Sequence, residues 1–173
     1  WNGTTYFAPA NSPTYSDITY STTGTIWLSN KVAGQPISLT DILYADSKYV
    51  MSSQNNVTPI LVSIDGIVWA TAGLETESVS IDNTSLNSVA YFNGIYVAVG
   101  DNIVSSDDAY IWVERYRFTD MILYGVSAIT INNFDGFIAV GVGPDYSVIP
   151  TITQSVILKS LDGISWTNIT PSA

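Results

Sequence analysis

Short runs of apolar and β-branched residues, each broken by a polar turn pair, recur along the chain. The clearest is Tyr91-Phe92-Asn93-Gly94-Ile95-Tyr96-Val97-Ala98-Val99-Gly100. A two-residue type I′ turn needs positive φ at both positions, which Asn and Gly tolerate best, so Asn93-Gly94 predicts a hairpin between two strands. Equivalent pairs are Asn2-Gly3, Asp46-Ser47 and Asp135-Gly136, each ahead of a run containing aromatic and apolar residues.

A second pattern lies downstream of each pair. Ser63, Asp65, Gly66 and Trp69 have the same offsets as Ser160, Asp162, Gly163 and Trp166. Ser106, Asp108 and Trp112 keep three of the four, with Ala109 in place of Gly, while Ser21, Gly24 and Trp27 keep three, with Thr23 in place of Asp. Asp at such a turn accepts from its own downstream amides, and Gly supplies the unusual φ. The tryptophans recur after 42, 43 and 54 residues. A period of about 40 to 50 residues built from short strands marks a β-propeller or similar array.

Together the two patterns predict four strands per repeat. In the second repeat they fall at 41–44, 48–52, 59–63 and 67–71, and in the third at 88–91, 95–99, 102–106 and 110–114. In the fourth they fall at 127–131, 137–142, 155–160 and 164–168. The first repeat has only the last three, at 5–8, 17–21 and 25–29, and 119–126 reads as loop. The predicted fold class is therefore all-β, a β-propeller-type array of about four four-stranded blades with the first truncated. Residues 1–173 form one region, with repeats at about 1–38, 39–85, 86–126 and 127–173. Because the first blade lacks a strand and four blades are few, the array is expected to be part of a larger propeller. Further blades of the same polypeptide or a neighbouring subunit would complete it.

Composition narrows the chemistry. There is no Cys, hence no disulfide framework or thiolate metal site, and no His, the commonest metal ligand and general base. No metal site and no cofactor are expected. A net charge of −10 argues against nucleic acid and anionic membrane surfaces. No apolar run approaches the roughly 18 residues that span a bilayer, so membrane insertion is not expected. A hydrophobic content of 46% with few charges and many Ser, Thr and Asn suits a virion surface or an extracellular location.

The Ser-x-Asp-Gly-x-x-Trp turn resembles the Asp-box of sialidase-type propellers. With the Asn-Gly-x-Tyr-Val-Ala-Val-Gly segment before it, the chain looks like the repeat arrays of phage tail-associated and secreted bacterial proteins. The resemblance covers nearly the whole chain and implies a structural turn at the blade periphery, its Ser and Asp closing the hairpin and its aromatic packing beneath. A sialidase-like active site would require three arginines from different blades and a Tyr/Glu nucleophile pair. Only Arg115 and Arg117 are present, on one strand end. Asp107 and Asp108 are adjacent on a turn and point apart, which does not suit a glycosidase carboxylate pair. With Asp101 they also lack the spacing of a calcium loop. The chain is accordingly expected not to be an enzyme.

Trp27, Trp69, Trp112 and Trp166 could stack on sugars, but one bulky aromatic at a fixed place in every repeat is what packing between blades requires. The irregular loops are better candidates for binding. They are the connections between second and third strands: 9–15, 54–58, the tight 100–102, and 143–154. Tyr146 and Asp145, with Tyr15, Arg115 and Arg117 from neighbouring connections, form the predicted contact surface. The expected function is that of a structural or recognition module on a virion, phage tail or fibre, contacting the host. A glycan-binding module of a secreted bacterial protein is the alternative, and a fragment of an Asp-box glycoside hydrolase ranks below it. Expected partners are other virion or surface subunits and a host glycan or receptor.

Overall fold

The computed structural model of the chain describes residues 2–11, 16–33, 37–55, 57–75, 84–145 and 152–171. Among the described residues the fold is all-β, with sixteen strands in four sheets. The first sheet holds β1 (Tyr6–Asn11), β2 (Ser16–Ser21) and β3 (Leu28–Ala33). The second holds β4 (Leu39–Ala45), β5 (Lys48–Ser53), β6 (Ile60–Ser63) and β7 (Ala70–Thr71). After β7 the chain forms β8 (Gly73–Glu75), which joins the next sheet. That third sheet continues with β9 (Leu86–Phe92), β10 (Ile95–Gly100), β11 (Asn102–Ser106) and β12 (Ile111–Arg117). The fourth holds β13 (Ile122–Ile131), β14 (Phe134–Asp145), β15 (Ile152–Ser160) and β16 (Thr167–Asn168).

Apart from β8, every pairing is antiparallel and sequential, so each sheet is a meander. The first strands β4, β9 and β13 contact one another in succession, which sets the sheets side by side around a shared inner edge as propeller blades. In the first sheet it is β1 that touches β4, as β5 touches β9 and β10 touches β13. Thus β1 occupies the second-strand position.

The core lies between blades. Ile18, Leu39, Met51 and Leu61 pack between the first and second sheets. Val50 and Val62 pack on Tyr96, Val104 and Trp112 between the second and third, and Val97, Val99 and Ile103 on Phe137, Ala139 and Val156 between the third and fourth. A central blade is buried on both faces. This is why Tyr96-Val97-Ala98-Val99 reads as a continuous apolar run, with all four residues buried.

Four strand readings need correction. The outermost strands start later than predicted, β7 at Ala70 and β16 at Thr167, because the Asp of each turn holds the amides of two following residues and withdraws them from the ladder. The stretch 119–126 is not loop throughout, since β13 begins at Ile122. The fourth hairpin turns at Asn132-Asn133, φ 37° and 71°, not at Asp135-Gly136. Gly136 answers a different need: a Cβ there would lie 2.2 Å from the Ser160 carbonyl oxygen, so only glycine lets the strands approach. Finally, β8 was not foreseen. It pairs in parallel with β12 and carries the chain from the outer edge of the second blade to that of the third, covering the edge beside Trp112.

Candidate functional site

The four peripheral turns share one geometry. In the second sheet Ser63 Oγ accepts from Gly66 N at 2.8 Å, and Asp65 Oδ1 accepts from Ile67 N and Val68 N at 2.8 and 2.9 Å. Ser106 with Asp108 and Ser160 with Asp162 repeat this at 2.7 to 2.9 Å. Those hydrogen bonds favour the ionised form. Asp65 and Asp108 lie below the usual carboxylate range chiefly through the amides of Val68 and Ile111, and Asp162 chiefly through that of Ser165. In the first sheet Thr23 Oγ1 is a weaker substitute, accepting from Thr25 N and Ile26 N at 3.3 and 3.4 Å. Each Trp indole donates back to the turn, for instance Trp112 Nε1 to Ala109 O at 2.7 Å. These polar groups are engaged in closing turns.

The predicted contact residues do not all converge. Tyr146 and Tyr15 lie outside the described residues. Asp145 closes β14 opposite Ile152, so residues 143–145 and 152–154 extend the hairpin and are not loop. Residues 9–11 similarly extend β1. Arg115 Nε donates to Ser105 Oγ at 2.7 Å across the β11–β12 pair. Arg117 instead reaches a cleft.

That cleft, about 380 Å³, opens where the third blade hands over to the fourth, lined by Asp101, Arg117, Phe118, Thr119, Asp120, Met121 and Ile122. An adjoining recess of about 220 Å³ adds Tyr116 and Pro144. Local structure explains the convergence. Asp101 sits in the tight connection between β10 and β11, and its carbonyl accepts from Phe118 N at 3.1 Å, pinning the strand exit beside it. Arg117 binds Glu114 at 2.6 Å, and Glu114 also accepts from Asn102 Nδ2 at 2.9 Å. Burial pushes the Glu114 carboxyl up, but its bonds to Arg117 and Asn102 outweigh that and hold it below its usual value. The rings of Tyr116 and Phe118 lie 4.8 Å apart at 41°. The cleft thus combines a fixed guanidinium, two carboxylates and an aromatic pair. Asp120 and Phe118 were missed in the sequence, and Asp101 was weighed only with Asp107 and Asp108, because the cleft joins two connections that only the blade brings together. A cavity of 390 Å³ beside Asp162 is lined by Ser160, Asp162 and Ser165, whose polar groups the turn already uses. Among the described residues no group of three or more His, Cys, Asp or Glu is placed to hold a metal ion.

No protein-family model matches the sequence, and no curated protein does. Solved structures do resemble the chain over most of its length. One is YCF48 bound to D1 peptide, 14% identical with a TM-score of 0.45, the match covering 88% of this chain and 60% of that one. A second is a protein assigned as a glycoside hydrolase from Parabacteroides distasonis, 11% identical with a TM-score of 0.47, covering 94% and 67%. A third comes from the GH130 family of mannoside phosphorylases, which contains glycoside hydrolases that target β-1,2 mannosidic linkages in Candida mannan. It is 12% identical with a TM-score of 0.47, covering 95% and 66%. The chain therefore spans 60% of the length of the first structure. The propeller array is carried by the chain's own four successive meander sheets.

The expectation that the chain is not an enzyme is corrected, because solved structures that resemble the chain include one assigned as a glycoside hydrolase and one from a family of mannoside phosphorylases. The expectation rested on an incomplete arginine set and on Asp107 and Asp108 pointing apart. It did not weigh Asp101 with Asp120, which share the cleft.

Proposed function

We propose that the chain is a propeller segment that recognises a saccharide, of host-glycan type, in the cleft between the third and fourth blades. The observation that carries this reading is the convergence of Arg117, Asp101 and Asp120 beside the Tyr116–Phe118 ring pair. A sugar offers hydroxyls to charged acceptors and donors and an apolar C–H face to an aromatic ring, so a small set of polar groups beside rings suits it. The lack of a basic patch and the net charge of −10 favour a neutral or cationic ligand over an anionic one. The proposed setting is a virion surface or the extracellular space, with phage tail or fibre association as its specific form. Composition and the Asp-box resemblance of the four turns support that setting.

A glycan array probed with the purified chain, alongside Tyr116→Ala and Asp120→Asn, tests the reading. Selective retention on one glycan class, reduced at least about tenfold by either substitution, is expected. Binding that both variants leave unchanged, or no binding at all, refutes the cleft as the site. Reducing-sugar release from the retained glycan, compared between the parent chain and Asp101→Asn, measures whether the two carboxylates also turn it over.

A further inference from the structure

The junction between the second and third blades and that between the third and fourth are built from matching residues but are filled differently. Val104 pairs with Glu114 in the third sheet as Leu158 pairs with Asn168 in the fourth, and Trp112 and Trp166 stand at the same offset before those partners. In the earlier junction Trp112 is fully buried, and Glu114 is taken by Asn102 and Arg117. In the later one Trp166 is only half-buried, and a recess of about 150 Å³ lies open beside it.

Rigid strands form this recess. Ile103 of β11 and Leu158 of β15, both buried, give it an apolar floor, and Tyr116 lies directly across the ladder from Ile103 on the same face. Phe118, Met121 and Trp166 complete the apolar lining. The Trp166 ring is fixed in place, its Nε1 donating to Gly163 O at 3.3 Å and its centroid 6.4 Å from that of Phe137. Asn168 adds an amide. Its Oδ1 accepts from Thr170 N at 2.8 Å, which leaves Nδ2 as the group that can donate to a ligand. Tyr116, Phe118 and Met121 also line the smaller part of the cleft with Arg117 and Asp120, so the polar cleft and the apolar recess are continuous.

We propose that this recess takes the acetamido group of a neutral 2-acetamido sugar whose ring lies in the cleft. The inference rests on the saccharide reading above and narrows it to one class. Each part of an acetamido group has a counterpart in the lining: the methyl meets Ile103, Leu158 and Met121, the flat amide meets the Phe118 and Trp166 rings, and the carbonyl accepts from Asn168 Nδ2. A plain hydroxyl in the same place would give up its water against an apolar floor, which costs binding. Size agrees, since an apolar cavity of about 150 Å³ takes a benzene ring, a larger group than acetamido. The net charge of −10 favours a neutral acylated sugar over one that carries a carboxylate.

Titration calorimetry with chitotetraose and cellotetraose tests this, because these neutral oligomers share a linkage and differ in carrying an acetamido group or a hydroxyl. Chitotetraose is expected to bind at least about tenfold more tightly. It should also shift the Asn168 side-chain amide signal in a nitrogen-edited NMR spectrum, which cellotetraose leaves in place. Asn168→Leu, which removes the donor and fills the recess, should abolish the preference while the affinity for cellotetraose holds. Asp120→Asn should weaken both oligomers alike. If Asn168→Leu does not fold, Asn168→Ala removes the donor alone, and a preference cut at least about threefold is expected. Equal affinity for the two oligomers, each weakened by Asp120→Asn, would overturn the acetamido assignment and leave the saccharide reading of the cleft standing. Binding that Asp120→Asn leaves unchanged would overturn both. The proposal also fails if chitotetraose binds with the Asn168 signal unmoved, if a folded Asn168 variant keeps the full preference, or if neither oligomer binds.

Discussion

Tyr96 on β10 stands directly opposite Ser106 on β11, and the same pairing recurs as Tyr6 with Ser21, Tyr49 with Ser63 and Phe137 with Ser160. In the last three blades one register therefore ties three things together: the hairpin, the Ser that closes the peripheral turn, and the ring on which the Trp of that turn leans. Ring centroids are 6.4 Å apart for Tyr49 and Trp69, 6.2 Å for Tyr96 and Trp112, and 6.4 Å for Phe137 and Trp166. A slip of one residue would turn every one of these side chains to the wrong face.

Four equivalent tryptophans should not cost the same to remove. Trp112 is fully buried with its indole N–H bonded at 2.7 Å, so Trp112→Ala should cost about 3 to 5 kcal/mol. Trp69 and Trp166 are half-buried, and about 2 kcal/mol is expected for each. Trp27 is 45% exposed, so Trp27→Ala should cost no more than about 1 kcal/mol. Urea unfolding of the four variants checks the order, and equal losses would contradict the burial gradient.

Replacing Thr23 with Asp should stabilise the first turn. The two amide bonds to Thr23 are 3.3 and 3.4 Å long, against 2.7 to 2.9 Å to the carboxylates elsewhere. A charged acceptor at normal distance should add about 1 kcal/mol, read as a higher denaturant midpoint with unchanged slope.

Alanine at the turn glycines separates backbone strain from contact between blades. Gly24, Gly66 and Gly163 all have φ near +70°, from 71° to 76°, so each substitution carries about 1 to 2 kcal/mol of left-handed strain. Ala109, at φ 69°, shows that an alanine can be held there. Gly66→Ala and Gly163→Ala add a clash with the neighbouring blade, costing about 1 to 3 kcal/mol more, whereas Gly24→Ala meets only the Tyr6 ring at 3.9 Å, an ordinary contact. Thermal unfolding should show Gly24→Ala as the mildest of the three.

Acid should loosen the last three blades through their turns. Asp65, Asp108 and Asp162 have folded pKa values below their unfolded ones, so the unfolded chain binds more protons and stability rises with pH. Their contribution is fully present above the unfolded value near 3.9 and is lost as pH falls through the depressed folded values. Denaturant midpoints should fall steeply below about pH 4, less so in the triple Asn variant.

Much of the blade was legible because its devices are local. Asn93-Gly94 needs only its own φ values to turn the chain, and Ser160 with Asp162 needs only the next few amides, so residue type and spacing suffice to place both. Gly136 shows the limit: its glycine serves a neighbouring strand at Ser160, a contact no local pattern encodes. The cleft was less legible for the same reason. Arg117 was read as a candidate from its own neighbourhood, but Asp101 comes from the connection between β10 and β11 and reaches Phe118 only once β12 has been laid down beside β11. Likewise Trp27 and Trp112 are the same word in the sequence. One is exposed and the other buried because a blade lies over Trp112 and, among the described residues, none lies over Trp27. Repeat identity and turn chemistry are written in short stretches of chain, whereas burial and the meeting of distant groups depend on which blade stands next to which.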